Sequence, residues 1–326
     1  MSGERHSIAV LTSRSVPLPQ GATELFYELG CPVSVYVPET LPNVLGEDML
    51  FVWDTDLHEY MRRHWSTFSR VAWMHAAVTG VDSFLFPELV DSDITLTNAA
   101  GIYNVSIAEF VAYSVLAHAK RSGMLWSQQH EKTWKHIHSE SVNGSQAVIY
   151  GTGSIGRTVG AMLHGLGLRV RGIDPYVTSA DGFERIYSSD KMREAVEWAD
   201  CFIICAPLTE ATRHSINREV FSWMKPTCHV INVGRGAVID EKDLIDALQS
   251  HRIGSASLDV FEQEPLPADS PLWDMNNVSI SPHISGDAGD FEMALIRQFI
   301  DLAKTWLSGG DFPLVVDKEK GYAVRR

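Results

Sequence analysis

The chain has 326 residues, 45% hydrophobic and 21% charged, which is more than one hydrophobic core usually organises, so two domains of an ordinary soluble enzyme are expected. A formal net charge of −14 and a pI near 5.3 argue against a nucleic-acid or anionic-membrane partner, though a local basic site for a small anion stays open. No apolar run is long enough for a membrane span, the N-terminus leads into Ile8-Ala9-Val10-Leu11 without a signal-peptide pattern, and a cytoplasmic protein is expected.

The first hundred residues alternate β-branched or aromatic runs with amphipathic segments. Strands are predicted over 8–12, 33–37, 49–53, 71–76 and 94–98, with helices over 22–29 and 57–68. That alternation implies a parallel sheet with helices on both faces. A helix is predicted over 105–121, followed by a polar stretch to residue 143. A second alternating block then begins. Its strands are predicted over 147–150, 169–173, 201–205, 229–232, 254–258 and 278–280. Its helices are predicted over 154–164, 191–199, 218–222, 241–250 and 291–308. Within 201–205, Cys201 and Cys205 would lie roughly 13 Å apart on a strand, too far for one disulfide or one metal, and with Cys31 and Cys228 they read as small hydrophobes rather than a scaffold.

The strand over 147–150 runs into Gly151-Thr152-Gly153-Ser154-Ile155-Gly156 and then a helix. In a dinucleotide site Gly151 permits the tight turn, Gly153 lets the pyrophosphate approach the backbone, and Gly156 allows close helix–strand packing. The helix N-terminus supplies free N–H donors to the phosphates. Asp174 follows Gly156 by 18 residues and ends the next strand, where its carboxylate can accept from ribose hydroxyls and repel a 2′-phosphate. NAD is therefore preferred to NADP, and Arg171 sits too early on the strand to clamp a phosphate. The loop alone also suits an S-adenosyl ligand on a similar sheet.

Three later segments bear on the chemistry. Arg235 follows the apolar run Val230-Ile231-Asn232-Val233-Gly234. Glu264 lies in Leu258-Asp259-Val260-Phe261-Glu262-Gln263-Glu264-Pro265, and His283 in Ser281-Pro282-His283-Ile284-Ser285-Gly286. Strand carboxyl ends face the ligand crevice in a doubly wound sheet, so the three would converge. Singly they also read as a surface arginine, a solvated acid and a capping or core histidine; together, each past a strand end, they read as a site. His130, His136 and His138 have no accompanying ligand pattern, and no metal is expected.

These segments resemble those of the D-isomer-specific 2-hydroxyacid dehydrogenases, a family that includes glycerate, glyoxylate/hydroxypyruvate, phosphoglycerate and D-lactate enzymes. The resemblance is close from about residue 71 to 286. It also takes in Ala76-Ala77-Val78-Thr79-Gly80-Val81-Asp82, residues 104–109, and Ala206-Pro207-Leu208-Thr209-Glu210-Ala211-Thr212. It implies that Arg235 grips the substrate carboxylate and keto oxygen, His283 is the acid/base, and Glu264 orients the imidazole. Thr79 and Gly80 would hold the substrate carboxylate through backbone amides. Cofactor contacts are implied for Ser154, Ile155, Asp174, Pro207, Thr212, Val233, Asp259 and Gly286, with Asp259 near the nicotinamide carboxamide.

The implied fold is α/β with two doubly wound parallel-sheet domains. A Rossmann NAD-binding domain over 99–286 is inserted in a flavodoxin-like substrate-binding domain made of 1–98 and 287–326, with an intervening crevice that closes on substrate. The segment 105–121 resembles the helix through which family members form homodimers. The implied substrate is a small 2-keto or 2-hydroxy acid, with pocket walls from Trp53, 74–79, Tyr103 and 285–290. A formate dehydrogenase is disfavoured because those enzymes have glutamine where Glu264 stands. Phosphite oxidation keeps the same trio, and a non-enzymatic corepressor or redox sensor on the same scaffold is the third alternative. No appended regulatory domain is expected after residues 322–326, which weakens a feedback-regulated phosphoglycerate enzyme.

Overall fold

The computed structural model describes residues 6–289, 291–310 and 312–323. They form two units, one within 6–103 and 288–323 and the other of 104–287. The first crossing falls five residues later than the expected 98/99, because Ala99, Ile102 and Tyr103 pack in the first unit's core and the Tyr103 hydroxyl donates to the Ala77 carbonyl at 3.1 Å. Asp290, Asp311 and residues 1–5 and 324–326 lie outside the described residues, including the ends of the expected outer domain and one expected pocket-wall residue.

The first unit begins with β1 (Ile8–Leu11), α1 (Ala22–Phe26), β2 (Val33–Tyr36), β3 (Met49–Val52), α2 (His58–Arg63), β4 (Trp73–Ala76), α3 (Pro87–Val90) and β5 (Thr95–Asn98). Every residue of β1, β3 and β4 is buried, as strands covered on both faces require. All five strands are parallel in the order β2-β1-β3-β4-β5, the flavodoxin-like winding. The helix predicted over 57–68 is instead α2 between two 3-10 turns, Thr55–Leu57 and Trp65–Phe68.

The second unit runs α4 (Asn104–Ala119), α5 (Ser122–His130), β6 (Gln146–Tyr150), α6 (Ser154–Gly165), β7 (Arg169–Ile173), β8 (Arg185–Tyr187), α7 (Met192–Val196), β9 (Cys201–Ile204), α8 (Arg218–Trp223), β10 (His229–Asn232), α9 (Glu241–Gln249), β11 (Ser255–Leu258) and β12 (Val278–Ile280). Its seven strands are parallel in the order β12-β11-β10-β9-β6-β7-β8. Counted within the unit, six of them follow the Rossmann order 3-2-1-4-5-6, with β12 added at the edge. The winding reverses between β6 and β9, which places the glycine loop at the switch point. The edge strand β8 and the polar helix α5 were not predicted.

The chain then returns to the first unit as α10 (Phe291–Leu307) and a two-stranded hairpin, β13 (Val316–Asp317) with β14 (Tyr322–Ala323). The apolar stripe of α10 supplies Leu295, Ile296, Phe299 and Ala303 to the core. Phe299 stacks on Phe51 at 4.4 Å and on Trp73 at 5.2 Å.

Candidate active site

In the second unit the loops that leave β6, β9, β10, β11 and β12 share the carboxyl edge of one sheet, and they carry most of the expected site residues. The glycine loop is fitted to its neighbour. Gly151 has φ +91°, and a Cβ there would meet the Ala206 amide nitrogen at 2.6 Å, while one on Gly156 would meet the Gly151 carbonyl oxygen at 2.0 Å. Gly153, by contrast, faces open space, with no heavy atom within 4 Å of where its Cβ would be. It stands at the N-terminus of α6, where Ser154 and Ile155 open the helix. A loop packed from behind and open in front fits a dinucleotide pyrophosphate.

Asp174 ties this loop to the end of β7. Its Oδ2 accepts from the Thr152 amide at 2.8 Å, and its Oδ1 accepts from the amides of Tyr176 and Val177, each at 2.9 Å. The carboxylate is thereby fixed beside the loop while keeping lone pairs for a ligand. Arg171 is engaged elsewhere, with Glu184 at 3.4 Å and over the Trp198 ring at 3.9 Å. Beyond β9, the Thr212 hydroxyl donates to the Pro207 carbonyl at 2.6 Å and closes that loop. Cys205 lies beneath, and burial pushes its thiol up to about 12, so it stays protonated and inert near neutrality. Val233, after β10, is buried and donates its amide to the Ile204 carbonyl.

Arg235 follows through a turn organised by Asn232, whose amide group donates to the Arg235 carbonyl at 3.1 Å and whose Oδ1 accepts from the Gly234 amide. Glu264 is held in place by the Phe261 amide, which donates to its Oε1 at 2.9 Å. The other oxygen, Oε2, receives the His283 Nδ1 proton at 2.8 Å, which leaves Nε2 as the outward nitrogen. This bond is the main cause that raises the His283 pKa, opposed by burial and aided by the Glu264 charge. Burial works to raise Glu264, but the His283 and Phe261 hydrogen bonds and the His283 and Arg235 charges together hold it below the usual carboxylate range. Both shifts favour the imidazolium–carboxylate form of the pair, and the Arg235 charge acts on both groups.

Asp259 is fully buried, and its carboxylate is taken up by the protein. Oδ1 accepts from the Ser281 hydroxyl at 2.6 Å and the Ile284 amide at 2.9 Å, and Oδ2 accepts from the Ser285 amide at 2.9 Å. These bonds build the turn that presents His283 and Gly286. The organising roles of Asp259, Asn232 and Ser281 are absent from the linear motifs, because each is a contact made only once the strand ends are aligned.

Thr79 and Gly80 belong to the first unit, in the loop after β4. The Ala99 amide donates to the Val78 carbonyl at 2.9 Å, and the Asn98 side chain donates to the Thr79 carbonyl at 2.6 Å. Both bonds hold carbonyls. Among the described residues, the amides of Val78, Thr79 and Gly80 donate to no protein acceptor, an arrangement suited to an anion. His130 bonds the Trp126 carbonyl, and His136 and His138 pack edge to face, with no metal-holding group of three or more ligands among the described residues. No helix among them is long and apolar enough to cross a membrane.

A family model described as D-isomer specific 2-hydroxyacid dehydrogenase, NAD binding domain, matches residues 112–285. A glyoxylate reductase of Korarchaeum cryptofilum is 32% identical over 74% of this chain and 74% of its own length. An (S)-sulfolactate dehydrogenase of Chromohalobacter salexigens is 31% identical over 64% of this chain and 68% of its own. Among solved structures, a D-isomer specific 2-hydroxyacid dehydrogenase of Xanthobacter autotrophicus, in complex with NADPH and MES, superposes with a TM-score of 0.81 at 26% identity, covering 97% of this chain and 99% of that one. The chain belongs to the D-isomer specific 2-hydroxyacid dehydrogenase family and is a 2-hydroxyacid oxidoreductase with a nicotinamide-cofactor domain.

Proposed function

We propose that the protein reduces a small 2-keto acid such as glyoxylate or hydroxypyruvate to the D-2-hydroxy acid with NADH. The His283–Glu264 hydrogen bond carries this reading, because it orients the imidazole and favours its protonated form, with the Arg235 charge acting on the same group. Arg235 binds the substrate carboxylate and keto oxygen through its planar fork. His283 gives its Nε2 proton to the carbonyl oxygen, and Glu264 stabilises the imidazolium until that transfer. The cofactor, when bound, supplies the hydride. In the reverse direction neutral His283 takes the hydroxyl proton.

The glycine loop from Gly151 to Gly156, with Ser154 and Ile155, takes the pyrophosphate; Asp174 takes the ribose, and Pro207, Thr212, Val233 and Gly286 line the remainder. Asp259 acts on the cofactor side mainly through the turn it builds. The fixed Asp174 carboxylate favours NAD, since it meets a 2′-phosphate with like charge. The NADPH bound by the Xanthobacter enzyme makes NADP the alternative to test.

A homodimer through the nucleotide domain is expected, because Val105, Tyr113, Met124, Leu125, Trp126 and Trp134 are exposed on and after α4. Sedimentation at a monomer mass would contradict that assembly. The catalytic proposal is tested by NADH and NADPH oxidation against a panel of 2-keto acids. Turnover of at least one acid with an NADH preference is expected. Tight NADH binding with no turnover across the panel would replace it with a binding module.

A further inference from the structure

The first turn of α4 contributes no side chain to the proposed chemistry, and its placement points to another task. His283 has a φ of +55°, a left-handed conformation costly for a residue with a Cβ, so something must hold the turn around it. Asp259 holds the amide side, through Ile284 and Ser285. The carbonyl side is held from a different element. Ser106, in the first turn of α4, places its hydroxyl 3.1 Å from both the Ser285 and the Asp287 carbonyl oxygens, across 179 and 181 residues of sequence. One hydroxyl carries one proton, so it is shared between the two carbonyls or alternates between them. Two residues earlier, Asn104 Oδ1 accepts from the Ser154 hydroxyl at 3.3 Å, so the same helical turn also touches the start of α6.

We infer that Ser106 is a positioning residue for His283, its hydroxyl clamping the carbonyl side of the 283–287 turn so that the imidazole stays on Glu264. The inference rests on the 2-keto acid reductase reading for its catalytic meaning, though not for its geometry. Among the described residues, the charged groups that act on His283 are Glu264 from the loop after β11, Asp259 at the end of β11, and Arg235 after β10. Of these, Glu264 acts through the hydrogen bond that most raises the imidazole. Loosening the carbonyl side lets the turn relax, lengthens that bond, and lowers the pH at which His283 titrates.

The test compares Ser106→Ala, Ser106→Thr and Ser114→Ala in the full chain. Ser114 is a control on the same helix, since among the described residues its hydroxyl bonds the Phe110 carbonyl of that helix alone. NMR titration of His283, assigned with His283→Gln, needs no turnover, so failure of the reductase reading shows separately as wild type reducing no keto acid. Ser106→Ala is expected to move the His283 midpoint down by about half a pH unit or more. It should also lower keto-acid turnover about tenfold. Ser106→Thr should restore both, and Ser114→Ala should move neither. An unmoved His283 midpoint in Ser106→Ala, even with a lower melting temperature, would overturn the inference. Should that variant fail to fold, Ser106→Cys, with a weaker donor of similar size, is read in the same way.

Discussion

A Cβ on Gly236 would lie 1.8 Å from the Phe261 carbonyl carbon, so the residue after Arg235 is in backbone contact with the loop that carries Glu264. The neighbouring Glu262 is fastened as well, since its amide donates to Glu241 Oε2 while its own Oε1 accepts from the Glu241 amide, both at 3.1 Å. The loop after Arg235 and the start of α9 are therefore both fastened to the loop that carries Glu264. Gly236→Ala is expected to destabilise the protein by about 2 kcal/mol, as overpacking does. It should also reduce kcat/KM by about 100-fold through displacement of Glu264. Calorimetry and steady-state kinetics check both, and a variant with wild-type kinetics would refute the linkage.

The His283–Glu264 pair predicts opposite pH dependences for the two directions of reaction. His283 titrates above the ordinary imidazole value of 6.5, so its contribution to stability is complete below 6.5 and is lost as pH rises through the folded value. Glu264 titrates below 4.5, so its contribution is present above 4.5 and is lost as pH falls through the folded value. Keto-acid reduction, which needs imidazolium, should fall on the alkaline side of a pKa above 6.5, whereas hydroxy-acid oxidation should rise there. Glu264→Gln should move that midpoint down in both directions, and coincident profiles for the two enzymes would contradict the pairing.

His229 gives a separate acid sensitivity. It is buried with Nδ1 2.6 Å from the Ser255 hydroxyl and Nε2 3.1 Å from that of Ser257, and it stacks on His118 at 4.3 Å. Burial lowers its pKa to about 3. The unfolded chain binds this proton first, so the stability of the second unit should decline as pH falls from about 6.5 toward 3. His229→Gln should be less stable at pH 7 yet lose less stability over that window, as urea denaturation at several pH values would show.

Lys318 clamps the C-terminal hairpin to the first unit by donating to the carbonyls of Leu89 and Ser92 at 3.0 and 2.8 Å. Lys318→Met leaves both acceptors without that donor and should cost about 1–3 kcal/mol. Keto-acid turnover by the folded fraction should stay near wild type. A loss below 0.5 kcal/mol by urea denaturation would show the clamp to be replaceable by water.

Both parallel sheets were legible in the sequence because strands buried on both faces read as uninterrupted apolar runs, such as Met49-Leu50-Phe51-Val52 and Cys201-Phe202-Ile203-Ile204. β8 carries no such signal, because its three residues, Arg185-Ile186-Tyr187, form a short edge with one charged side chain. α5 has no buried residue, so no apolar stripe marks it. Arg235, Glu264 and His283 were legible because each follows a strand end, where the topology itself brings side chains together. The left-handed backbone of His283 and its supports on Asp259 and Ser106 were not, since those bonds join segments far apart in sequence.

The most direct test of the account is the turnover of His283→Ala with NADH and the best keto acid, alongside its NADH affinity by fluorescence. The account predicts a fall in kcat of about 10²- to 10⁴-fold, the usual worth of a positioned general acid, with NADH binding unchanged. Keto-acid reduction at the wild-type rate by this variant would contradict it.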